Sequence, residues 1–262
     1  GTAVITLAAM INYCILSARD ISELRIVING AGAAGIRIAD TLKVSGATHI
    51  TLCDSKGVVR ADRKELNENK RKHARETSAR TVGEALRDAH VFIGVSVADC
   101  IKPANIQAMA PYPAIFAMSN PDPEIRPEAV AEAMGSKPYV VATGRSDFPN
   151  QINNVLGFPF LFRGALDVRA RTINMDMKLA AARALAAVAR EKVGDDVKAF
   201  YPGKDLVFGS EYLIPKPFDR RLFSAVSGAV AEAAVASGAA PAIDLKLYRA
   251  ELEKRNRTRQ AP

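Results

Sequence analysis

Aromatic side chains make up only 6% of the 262 residues and tryptophan is absent, so the chain has no interleaved stacking platform of the kind that binds single-stranded nucleic acid. Cysteine is equally scarce. Cys14, Cys53 and Cys100 are odd in number, far apart and without C-x-x-C spacing, which excludes a disulfide framework; buried free thiols in a reducing cytoplasm are expected instead. His49, His73 and His90 fall at no metal-ligand spacing, and none is expected to be catalytic. No apolar run reaches the ~20 residues that cross a bilayer. The nearest, Ala3 to Leu16, is broken by Asn12 and Tyr13 and reads as a buried helix. A basic n-region and a cleavage site are also lacking, so no secretory signal is expected. The chain begins at glycine, as a fragment or processed piece would.

Charge is present in excess of one sign, +8 at neutral pH, but a nucleic-acid surface needs that charge clustered. The densest basic stretches, Lys70-Arg71-Lys72 and Lys254-Arg255-Asn256-Arg257, are flanked by acidic residues or lie at the end. They read as solvated helix faces and a polar tail, with part of the charge serving a phosphate-bearing cofactor or an acidic substrate. Neither a nucleic-acid nor a membrane partner is expected.

The most informative stretch is Arg25 to Gly35, where a short apolar run stops at Asn29 and gives way to G-x-G-x-x-G. In a strand, turn and helix of this kind Gly30 turns the chain tightly. Gly32 lets a pyrophosphate touch the backbone, and Gly35 lets the helix pack close on the strand. The free amides at the helix start, from Gly32 through Ala33 and Ala34, then hold phosphate oxygens. A second apolar run, His49 to Cys53, ends on Asp54, about twenty residues after the glycines, where the dinucleotide fingerprint places its ribose-binding acid.

Further apolar runs follow at Val91 to Val95, Ala114 to Met118 and Tyr139 to Thr143. Each is short and β-rich and each follows a helical or capped stretch, so five strands alternate with helices. The fold expected is α/β, a Rossmann-type doubly wound parallel sheet with additional C-terminal helices. Ligands of such sheets lie beyond the carboxyl ends of the strands, which here carry Gly30, Asp54, Ser96, Ser119-Asn120 and Gly144. An opening helix is expected over Thr2 to Ser17, with long helices over Ile173 to Val193 and Arg221 to Ser237. The passage Ser55 to Arg80 reads mostly as surface. Residues 1–237 form the expected domain, and 238–262 an arm or linker without a core of its own. Lys178 and Lys216 read as surface charge.

Several passages together resemble malic enzyme, in particular the bacterial form in which a phosphotransacetylase-like domain follows. They are Gly1-Thr2-Ala3, Asn29 to Gly35, Phe116-Ala117-Met118-Ser119-Asn120-Pro121, Thr143-Gly144-Arg145-Ser146-Asp147, Asn153-Asn154-Val155 and Ile214-Pro215-Lys216-Pro217-Phe218-Asp219. The resemblance implies the NAD(P)-binding domain of an enzyme that oxidises L-malate and releases CO2 and pyruvate. It also implies a lysine base, a tyrosine acid and ligands for Mg2+ or Mn2+ in a catalytic domain upstream of Gly1. No catalytic or metal-binding residue is therefore expected in this chain. A cytoplasmic homo-oligomer is expected.

Carried over residue by residue, Gly30 and the run Gly32 to Gly35 cradle the pyrophosphate, Asp54 faces the adenosine ribose, and Asn120 reaches the nicotinamide and the substrate. Asn154 reaches the substrate. Amides can donate to a substrate carboxylate without adding charge beside a metal. Read without the resemblance, Asn120 is an Asn-Pro turn and Asn153-Asn154 a helix cap. An acid at Asp54 favours NAD over NADP, whereas Lys56, Arg60 and the usage of the resembling enzymes tip the choice slightly to NADP. Two readings compete: the cofactor domain of another two-domain dehydrogenase, such as one acting on amino acids, and a dinucleotide-binding module without catalysis.

Overall fold

Strands covered on both faces must be apolar nearly throughout, and the apolar runs do form such strands. In a computed structural model of the chain, which describes residues 1–258, α1 (Thr2–Ser17) is followed by β1 (Arg25–Asn29), α2 (Ala33–Val44), β2 (His49–Asp54) and β3 (Gly57–Val58). Two short helices, α3 (Glu68–Arg71) and α4 (Val82–Ala85), lead to β4 (Val91–Gly94). Then come α5 (Pro103–Gln107), β5 (Ala114–Ala117), α6 (Pro127–Met134) and β6 (Val140–Thr143). The remaining helices are α7 (Phe158–Asp167), α8 (Met175–Arg190), α9 (Asp195–Lys198), α10 (Arg221–Ala236) and α11 (Leu245–Thr258).

The chain divides into two compact units. One, Tyr13 to Ile152 with Thr2, contains the sheet, in the order β3-β2-β1-β4-β5-β6. β1 pairs in parallel with β2 and with β4, in register Ile26 with Ile50 and with Val91. The crossovers thus reverse direction between β1 and β4, the switch point at which doubly wound sheets bind ligands. Every residue of β4 and β5 is buried. Val27, Cys53, Phe92, Ile115 and Ala117 face a cluster closed by Leu86, Ile106 and Val130. Beyond the five expected strands there is a sixth, the two-residue β3, antiparallel to β2 through Cys53 with Val58 and Asp54 with Gly57. Two residues are too short for any periodicity, so it left no signature. Gly57 adopts φ +99° and a side chain there would overlap the Arg80 carbonyl.

The second unit comprises Gly1, Ala3 to Asn12 and Asn153 onward. The apolar start of α1 is buried at Ile5, Leu7, Ala8, Ala9 and Met10, as its lack of a polar face requires. The fully buried Asn12 amide donates to the Ala186 and Leu213 carbonyls and accepts from Arg190. Helix α10 packs on α7 and α8, and Gly164 of α7 comes close to the Ser227 carbonyl and Val230. Within the stretch expected to be an arm, α11 packs on α10 with Tyr248 and Leu252 buried. The Tyr248 hydroxyl donates to Asp167. Residues 259–262 of that stretch lie outside the described residues. Lys216, expected to be surface charge, is instead only 6% exposed, with its ammonium 5.7 Å from the Tyr201 ring centre. Burial pushes its pKa down to about 8.

A Cβ on Gly35 would collide with the Gly30 carbonyl oxygen, a backbone atom with no freedom to move aside. Gly35→Ala should therefore destabilise the chain by about 1–3 kcal/mol, read from urea unfolding followed by circular dichroism.

Candidate dinucleotide site

The carboxyl end of β1 is where the glycine turn does its geometric work. Gly30 sits at φ +120°, and a side chain there would overlap the Val95 carbonyl. Gly35, one turn into α2, lies directly over Gly30. Gly32 is different: a Cβ there would meet no atom of the described residues within 4 Å. Packing therefore does not demand glycine at this position, and the open space lies over the start of α2. Gly32, Ala33 and Ala34 are exposed, and no side chain caps the helix, whose first-turn amides have no acceptor within the helix. Positive dipole and free donors coincide there.

On one side of the turn, β2 delivers Asp54, whose side chain is only 7% exposed. Its carboxylate accepts from Arg63 at 2.9 and 3.1 Å, from Lys70 at 2.6 Å and from the Lys56 amide at 3.0 Å. Burial alone would raise its pKa, but these partners together outweigh burial and hold it at about 2. Arg63 is itself buried and also pairs with Glu65. Arg60, expected to favour a phosphate, is bound to Asp62 at 2.8 Å. The cations nearest the acid are thus Arg63 and Lys70, nine and sixteen residues downstream. No spacing rule singled them out of a polar passage.

On the other side lie the ends of β4 and β5. The Asn29 amide donates to Ser96 Oγ at 2.9 Å and to Cys100 Sγ at 3.3 Å. Glu124, with no exposed surface, accepts the Ser96 and Ser119 amides on its two oxygens at 2.9 and 3.0 Å. Burial raises its pKa. Asn120 is exposed and joined to Pro121 by a cis peptide bond. A Cβ at Gly144, just past β6, would lie 3.7 Å from its amide nitrogen. Arg145 pairs with Asp147 and Asp122. The sheet unit therefore collects Gly30 to Gly35, Asp54 and Asn120 along one edge.

Asn154 belongs to the helical unit. Asn153, not Asn154, performs the capping, accepting from the Val155 amide at 3.1 Å. Asn154 is exposed, and a Cβ on Gly1 would lie 2.5 Å from its Oδ1. Among the described residues no three His, Cys, Asp or Glu side chains come together as a metal site.

A doubly wound sheet with a glycine turn and an open helix start at its switch point defines a domain of the dinucleotide-binding class. The family model described as "Malic enzyme, NAD binding domain" matches residues 1–206, and the chain belongs to that family. It is 50% identical over 260 residues to an NADP-dependent malic enzyme of Rhizobium meliloti, covering 97% of this chain and 34% of that protein. To an NAD-dependent malic enzyme of the same organism it is 45% identical over 262 residues, covering 98% and 33%. The crystal structure of malic enzyme from Pyrococcus horikoshii superposes with a TM-score of 0.84 at 33% identity, covering 97% of this chain and 58% of that one. The chain thus spans about a third of the length of these two curated relatives.

Because the folded pKa of Asp54 lies below the ~3.9 of an unfolded aspartate, its ion pairs stabilise fully above that value. The stabilisation is lost as pH falls towards 2. Asp54→Asn should cost about 2 kcal/mol or more at pH 7, and the gap to the parent protein should narrow between pH 4 and pH 2 in urea titrations.

Proposed function

We propose that this chain is the cofactor-binding part of a malic enzyme that oxidises and decarboxylates L-malate to pyruvate with NADP. The carrying observation is Gly32: it faces open space at an uncapped helix start, at the switch point of the sheet. A pyrophosphate there would meet backbone amides and the positive end of α2, with Gly30, Gly32, Ala33, Ala34 and Gly35 as its cradle. The bound cofactor supplies the acceptor for the hydride of the malate carbinol. This chain's task is to hold it, with the adenosine end towards Asp54 and the nicotinamide end towards Asn120. Asn154 serves the substrate. The names of the relatives support malate as substrate, and the length they have beyond this match leaves room for an upstream domain that supplies base, acid and metal.

The preference for NADP rests on the balance of charge at the end of β2. Asp54 alone would repel a 2′-phosphate, but two cations already neutralise it, and Lys56 lies exposed beside them. Residues 1–237 make up the cofactor domain in this reading and 238–262 a C-terminal arm, whose helix α11 is docked on α10. Free Cys14, Cys53 and Cys100 support a reducing compartment such as the cytoplasm, and no helix among the described residues is long and apolar enough to cross a membrane. The oligomer expected of the full enzyme is a homo-oligomer.

Gly32→Val should leave the urea midpoint unchanged and weaken NADP binding at least ~10-fold by calorimetry, the equivalent of one charge-assisted contact. Unchanged affinity in a folded variant overturns the assignment. NADP should bind more tightly than NAD, and Lys70→Gln should shrink that ratio. Malate-dependent NADPH formation should require the upstream domain, tested by supplying it to residues 1–262. Turnover by these residues alone, above a mock-purified control, refutes the division of labour.

A further inference from the structure

A dinucleotide bound across a doubly wound sheet places one mononucleotide on each side of the switch point. With the adenosine half over β2, the other half lies over the ends of β4 and β5. One buried side chain bonds to both of those ends. Glu124 Oε1 accepts the Ser96 amide and Oε2 accepts the Ser119 amide. Its own carbonyl accepts from Ile101, and the neighbouring Pro123 carbonyl accepts from Asp99. The loops after both strands are thereby tied to the segment that carries Asn120.

Two features mark the carboxylate as built in. It has no exposed surface, and a carboxylate stays buried only when its oxygens are matched by donors. Gly94, the last residue of β4, also makes room for it: a Cβ there would run into the carboxyl group. The linkage continues across the switch point. Ser96 Oγ accepts from the Asn29 amide and its carbonyl accepts from Ser119 Oγ at 3.4 Å. One chain of polar contacts therefore spans the ends of β1, β4 and β5, on the side of the glycine turn away from Asp54.

We infer that Glu124 is a positioning residue for the nicotinamide half of the cofactor: its carboxylate clamps the loops after β4 and β5, and Gly94 exists to admit it. This rests on the dinucleotide reading. The clamp acts through Ser96 and Ser119 and need not touch the ligand. Glutamine cannot replace it, because an amide offers one acceptor oxygen and would point a donor at the second backbone N–H.

The test compares NADP with 2′,5′-ADP, which carries the adenosine end alone, by calorimetry on the 262-residue chain. Glu124→Gln and Gly94→Ala should each weaken NADP ~10-fold while changing 2′,5′-ADP less than ~2-fold. The double variant should be no worse than the poorer single one, because both remove one clamp. Glu124→Asp, which keeps two acceptors, should recover part of the NADP affinity. If either variant loses both ligands equally, Glu124 is a general structural support and the inference fails. The same holds if NADP affinity is unchanged, or if the two substitutions are additive. A parent chain that binds 2′,5′-ADP and NADP equally well also overturns it, whereas a parent chain that binds neither ligand overturns the dinucleotide reading beneath it.

Discussion

The contact between Gly35 and the Gly30 carbonyl is the constraint on which the sheet unit depends. A helix that starts after a three-residue turn from its strand must fold back over the strand end, and any side chain at the crossing would push it away. Because the crossing is close, the start of α2 is held at the carboxyl edge of β1 with its amides facing outward. The switch point then becomes a place where donors converge and where, among the described residues, no side chain caps the helix. Gly32 marks that place, since it alone of the three motif glycines has no packing reason to be glycine.

The two flanks of the turn solve opposite electrostatic problems. At β2 a carboxylate faces a position where a phosphate is expected, and Arg63 and Lys70 cancel its charge. Such cancellation in a nearly buried site is strong because little water screens it. At β4 and β5 a carboxylate is buried with the Ser96 and Ser119 amides on its two oxygens. Burial therefore raises the pKa of Glu124, while ion pairing lowers that of Asp54. On the proposed reading, the first arrangement adjusts the field at the adenosine end and the second holds backbone geometry at the other.

The helical unit has a different logic. Its core relies on alanine and glycine to bring helices close, as where Gly164 meets α10, and on the buried amide of Asn12, which bonds to the Ala186 and Leu213 carbonyls. Lys216 shows how far a polar residue can be drawn inside when an aromatic face accepts its ammonium.

Much of this was readable in the chain itself. Strands buried on both faces must be continuously apolar, so Arg25–Asn29, His49–Asp54, Val91–Gly94, Ala114–Ala117 and Val140–Thr143 announced themselves, as did the helices over Thr2–Ser17 and Arg221–Ala236. The glycine turn was legible because backbone conformation and close approach allow only glycine, a local requirement written into residue type. The two-residue β3 was not, having no period to detect. Nor were the partners of the site: Arg63 and Lys70 reach Asp54, and Glu124 reaches back 28 residues to Ser96, only because the fold brings distant loops to one edge. Tertiary structure also buried Lys216 and docked α11, since a composition rich in charge does not reveal which few of its side chains find an apolar wall. Residue type and short-range pattern thus determined the elements and the turn. Which charge meets which is a property of long-range contact, and only the folded chain decides it.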